Sequence, residues 1–119
     1  SSNAYSVALW IKPEELTTYT TAFFGAKDGD HWVSLVPRGA VANNTMVWSG
    51  STSWYDGATG LTIPTGEWSH LAFSVENGTL TVYVNGVQKF RGANFPDWFT
   101  DTKASLAWAS IGGTLRLKG

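Results

Sequence analysis

Residues 68–86 read Trp68-Ser-His-Leu-Ala-Phe-Ser-Val-Glu-Asn77-Gly78-Thr-Leu-Thr-Val-Tyr-Val-Asn85-Gly86, and this stretch decides the fold. Apolar and polar side chains alternate on both sides of Asn77-Gly78, and a second Asn-Gly follows at Asn85-Gly86. Period-two alternation puts Leu71, Phe73 and Val75 on one face of a strand. Asn-Gly accepts the positive φ that a two-residue hairpin turn requires at both central positions. Folding about Asn77-Gly78 sets Leu71, Phe73 and Val75 against Val84, Val82 and Leu80, a continuous apolar stripe and therefore the core face. The third strand, Gln88 to Gly92, has two registers open to it. A two-residue loop places Val82 opposite Lys89; a three-residue loop with a bulge at Gly86 places it opposite Phe90, which keeps the stripe apolar and is preferred.

The same alternation runs outward in both directions. Tyr5 to Lys12 puts Tyr5, Val7, Leu9 and Ile11 on one face, and Pro13 ends it by removing a donor. Glu14-Glu15-Leu16 fits a single helical turn. Thr18 to Ala26, His31 to Val36 and Thr45 to Trp48 read as further strands, rich in residues that suit a pleated surface. Lys27 to Asp30 is a turn, 50–60 a Gly-rich loop, and Leu61 to Ile63 a short edge strand. Two late strands, Ser105 to Ile111 and Thr114 to Lys118, flank Gly112-Gly113. The expectation is one all-β domain over residues 1–119, an antiparallel two-sheet jelly-roll sandwich.

Composition closes off several functions. The chain has 119 residues, 43% apolar, with a formal net charge of −1 and charged residues at 14%. A nucleic-acid partner needs clustered Lys and Arg, which are not present. No apolar run is long enough to span a membrane. Without cysteine there is no disulfide, thiolate metal site or cysteine nucleophile. No charged-then-apolar leader opens the sequence, so an export signal is expected outside these residues. The anomaly is aromatic: seven Trp, six Phe and four Tyr, more indoles than a core of this size uses. Some are expected at the surface, for binding.

Three segments together carry a family resemblance: Tyr5-Ser-Val-Ala-Leu-Trp-Ile-Lys-Pro13, Gly66-Glu-Trp-Ser-His-Leu-Ala-Phe73 and Gly78-Thr-Leu-Thr-Val-Tyr-Val-Asn-Gly86. They resemble the signature strands of laminin G-like, concanavalin A-type modules. The most similar modules accompany bacterial glycoside hydrolases, including arabinan-degrading enzymes. The resemblance implies a secreted, extracellular carbohydrate-binding appendage, with a polysaccharide or oligosaccharide as partner and a catalytic domain on the same chain. Other members bind proteins or pack between domains, so a structural sandwich against a hydrolase domain is the alternative. Such modules usually carry one or two further strands at the start and a closing strand that this sequence lacks. Exposed sheet edges would then be covered by a neighbouring domain or by self-association.

Enzymes on this scaffold place paired carboxylates on alternate positions of one strand, and glycoside hydrolysis requires such a pair. The nine Asp and Glu residues show no such alternation, and no nucleophile elbow occurs, so no catalysis is expected. The binding candidates are Trp54, Tyr55 and Asp56, two aromatics beside an acid. Sugar C–H faces pack on aromatic rings while carboxylates and amides take the hydroxyls. Trp48 and Trp32 on neighbouring strands extend the platform or belong to the core. Arg38 and Asn94 are expected to assist, and Trp98 to flank the groove. Trp10 and Trp68 are assigned to packing, His70 to a structural role, and Tyr83 becomes a candidate if its face is the concave one. Asp28 and Asp30 form an oxygen-rich turn of the kind calcium uses, though two carboxylates fall short of its usual ligand shell. Calcium is thus the one cofactor considered.

Overall fold

The computed structural model describes residues 4–28, 30–50, 54–96, 108–111 and 117–118, with side chains through residue 96 except those of Lys27 and Asp28. Its strands are β1 (Ala4–Pro13), β2 (Phe23–Asp28), β3 (His31–Val36), β4 (Met46–Gly50), β5 (Trp54–Ala58), β6 (Ser69–Glu76), β7 (Thr79–Val84), β8 (Val87–Gly92), β9 (Trp108–Ile111) and β10 (Leu117–Lys118). They form two five-stranded antiparallel sheets, ordered β10-β1-β6-β7-β8 and β5-β4-β3-β2-β9. This is the expected all-β jelly-roll sandwich.

The meander folds as its alternation requires. Leu71 pairs with Val84, Phe73 with Val82 and Val75 with Leu80. Asn77, Gly78, Asn85 and Gly86 all take positive φ, between 50° and 81°. Val82 does face Phe90, but the extra residue is not at Gly86. The second loop has two residues, Val84 pairs with Val87, and the register shifts further along, where Lys89 stands between Gln88 and Phe90. Displacing Lys89 rather than a turn residue keeps Phe90 inward and leaves the charge in water.

Inward-facing residues of both sheets make the core, including Val33, Leu35, Val47, Leu71, Phe73, Val75, Leu80 and Val82, each at most 1% exposed. Phe73 lies at its centre, edge-on to Tyr5 and tilted against Phe23.

Three local expectations are corrected. Residues 14–21 form bends and turns, with neither a helical turn nor the early half of a strand. Tyr19 takes φ 68°, and Tyr19 N–H donates to the Arg38 carbonyl at 2.9 Å, so this segment straps across the sheet instead of joining it. Residues 61–63 are not a strand; Thr45 instead anchors them, its N–H donating to the Leu61 carbonyl and its hydroxyl accepting from Ile63 N–H. Residues 54–58, expected within a loop, form edge strand β5 against β4. The two late strands join different sheets, β9 pairing with β2 and β10 with β1.

Candidate functional site

The outward face of sheet β5-β4-β3-β2 carries the aromatic surplus. Register aligns Trp32 with Gly50 and Gly50 with Trp54, and, one step along, Ser34 with Trp48 and Trp48 with Asp56. Alternation sends Val33, Val47 and Tyr55 inward and this set outward. Three tryptophans therefore converge. Ring centroids lie 5.7 Å apart for Trp32 and Trp48, 5.5 Å for Trp32 and Trp54, and 5.5 Å for Trp48 and Trp54.

Two further rings extend the row. Tyr19 stacks on Trp48 at 5.2 Å with the planes 4° apart, and Phe24 stacks on Trp32 at 6.0 Å. Gly50 makes the approach of Trp32 fit, because a Cβ there would stand 2.7 Å from the indole Cζ2. Trp48 and Trp32 are half-buried, while Trp54, on the edge strand, is 66% exposed. The cluster is thus held from beneath and open at Trp54. Asp56, exposed and on the same face, lies two residues along β5. Among the described side chains of β2–β5 it is the single carboxylate.

The other candidates separate from this surface. Tyr55 points the opposite way: its ring packs edge-on against Phe90 and Phe95, and its hydroxyl donates to the Ala93 carbonyl at 2.9 Å. Adjacent positions on a strand face opposite sides, so Tyr55 cannot share a ligand with Trp54 and is corrected to a core-edge residue. Asn94 is exposed at φ 66° in the segment that Tyr55 braces, towards the other sheet, and does not join the aromatic face. Arg38 lies under the strap, with Nη1 donating to the Leu16 carbonyl at 3.2 Å. It holds the segment that delivers Tyr19 rather than reaching a ligand beside Trp54. Trp98 falls outside the described residues, as does the side chain of Asp28. Asp30 is exposed, and no group of three or more metal-capable side chains occurs among the described residues.

Trp10 and Trp68, assigned to packing, are instead 62% and 50% exposed. Sequence reasoning also missed Tyr19. The Thr-rich run around it resembles a strand, and its positive φ has no local sequence signal. The membership of Trp32 depends on register alone. Ser34 Oγ and Trp48 Nε1, neighbours in register, are both buried without a protein hydrogen-bond partner.

Burial raises the Tyr55 phenol above its ordinary pKa of about 10. The folded state therefore keeps this proton at a pH where the unfolded chain loses it. The stability this contributes is complete below about pH 10 and is lost as pH rises through the folded value. Urea midpoints should fall between pH 9 and 11 by less in Tyr55→Phe than in the parent chain. That variant should also lose about 0.5–1.5 kcal/mol at neutral pH with its hydrogen bond to Ala93.

Family comparison agrees with this architecture. The model of the Concanavalin A-like lectin/glucanases superfamily, laminin G type, matches residues 1–118, and the chain belongs to that superfamily. Among solved structures it is similar to domain 4 of AbnA, a GH43 extracellular arabinanase from Geobacillus stearothermophilus, in complex with arabinotriose. The two share 59% identity with a TM-score of 0.86, over 100% of this chain and 57% of that one. The chain thus spans little more than half the length of that relative. A candidate carbohydrate-binding protein from Bacteroides ovatus shares the fold alone, at 15% identity and TM-score 0.57 over 82% of this chain and 28% of that one. No curated protein matches in sequence.

Proposed function

We propose that the chain is a non-catalytic carbohydrate-binding module, and that its ligand is a plant-type polysaccharide of the arabinan kind. One observation carries the reading: three mutually contacting tryptophans on an outward sheet face, with Trp54 66% exposed at the edge. A solvent-facing indole fixed by two others is a pre-ordered apolar plane, and a sugar ring stacking on it loses little entropy to side-chain ordering. Asp56 supplies an acceptor for hydroxyls beside that plane. The likeness to an arabinanase domain solved with arabinotriose supports arabinan as the ligand, an extracellular location and attachment to a hydrolase. Asp56 as the single carboxylate among the described side chains of β2–β5 supports binding over hydrolysis, which needs a pair. Affinity should fall in the range of about micromolar to millimolar, since a shallow face buries few atoms.

Tryptophan emission of the 119-residue chain, titrated with arabino-, xylo- and β-gluco-oligosaccharides, tests this directly. A saturable shift with arabino-oligosaccharides that weakens at least tenfold in Trp54→Ala is the expected result. No response to any glycan would favour the structural, domain-packing alternative, and reducing-sugar release would end the non-catalytic reading.

A further inference from the structure

The outward face of the opposite sheet also carries an open groove. Rows of the register order that face. Trp10 stands beside His70; Ala8, Ala72, Tyr83 and Gln88 form the next row; Ser6, Ser74, Thr81 and Arg91 the one after. Small side chains floor its middle, and Tyr83 rises half-buried from them. Beyond Tyr83 a groove of about 340 Å³ is lined by Ser74, Glu76, Asn77, Thr79, Thr81, Tyr83 and Arg91. Arg91 Nη1 donates to Thr81 Oγ1 at 3.2 Å, which ties the guanidinium to the groove wall. At the other end Trp10 is 62% exposed, its ring against the His70 imidazole at 5.0 Å.

The lining chemistry narrows the ligand. One guanidinium and one carboxylate cancel, so the groove selects neither anions nor cations. Hydroxyls, an amide, a donor and an acceptor around one aromatic ring form the pattern that a neutral polyhydroxylated ligand satisfies. Trp10 and Tyr83 are two strands and two residues apart, or roughly 12 Å by ordinary sheet spacings. That distance fits a short oligosaccharide rather than a single ring.

We infer that this face is a second glycan-binding surface, in which Tyr83 and Trp10 stack on sugar rings and Glu76, Asn77 and Arg91 take their hydroxyls. The inference rests on the glycan-binding reading above. The two faces lie on opposite sides of the sandwich, so one module holds two separate polysaccharide strands and bridges them. Bridging adds avidity on an insoluble or branched polymer without any new contact.

The test uses the whole 119-residue chain with arabinotriose and longer linear arabino-oligosaccharides, followed by the ¹⁵N-labelled indole N–H signals of each tryptophan. Trp10→Ala and Trp54→Ala assign their own signals, and both replace exposed side chains, so folding is retained. The expected result is that the Trp10 and Trp54 signals both move, and that Trp10 still moves in Trp54→Ala. Arg91→Ala should weaken the Trp10 response at least fivefold and leave that of Trp54 unchanged. Mixing with soluble polymeric arabinan should produce aggregates that either Trp10→Ala or Trp54→Ala dissolves. A Trp54 signal that moves while Trp10 stays still overturns the second surface and spares the first. Movement of Trp10 alone retains the second surface and removes the first, and silence of both overturns the two together.

Discussion

Trp48→Ala should remove glycan binding at least as completely as Trp54→Ala, and it alone should also weaken the fold, by about 2–3 kcal/mol. Trp48 touches Tyr19, Trp32 and Trp54, so its loss leaves three rings without the surface that holds them. Deeply buried Trp to Ala changes cost about 3–5 kcal/mol, and the half-buried state of Trp48 lowers that figure. Trp54, by contrast, is 66% exposed and should cost less than about 1 kcal/mol on truncation. Urea unfolding and fluorescence titration of the two variants therefore separate support from contact. Equal stability losses in both variants would mean that Trp48 does not act as the hub. Full binding by Trp48→Ala would mean that the ligand does not use the platform.

Phe73→Ala should be the most damaging single change among the described residues, at about 3–5 kcal/mol. Phe73 is 1% exposed on the central strand β6, paired with Val7 on β1 and Val82 on β7, and in ring contact with Tyr5 and Phe23. Its contacts span both sheets, so the cavity left behind lies between the layers where neither can collapse independently. Domains of this size have about 5–15 kcal/mol in total, so the loss takes a large fraction. The thermal midpoint should drop by roughly 10–20 °C. A drop of only a few degrees would show that the sheets close over the gap.

Legibility followed the range of the interactions involved. The β6–β7–β8 meander could be read because alternation and Asn-Gly turns act between near neighbours. Even its bulge was half legible: keeping the stripe apolar demanded Phe90 opposite Val82, while the position of the extra residue, Lys89, depended on solvation of a charge. Strand β5 could not be read. Trp-Tyr-Asp-Gly-Ala carries two strand-poor residues, and Gly57 looks like a loop residue until its surroundings are known. A Cβ at Gly57 would stand 2.6 Å from Leu80 Cδ2, so glycine is there for close packing between the sheets. The misreading had a functional cost, because a loop lets Trp54 and Tyr55 act together and a strand forbids it.

By itself, then, the sequence determined the sandwich, the central register and an excess of aromatic rings. Local alternation and turn chemistry specify which side chains share a face of one strand. Only the tertiary structure decided which tryptophans meet. Trp32, Trp48 and Trp54 come from three strands, and Tyr19 from a strap held by Arg38. Their convergence depends on pairing between strands and on a positive φ at Tyr19, neither of which is encoded within any single segment. The same pairing turned Tyr55 inward and left Trp10 in water. Its cause is long-range burial of the apolar stripes, which sets each strand's register and so chooses the face on which every remaining side chain appears.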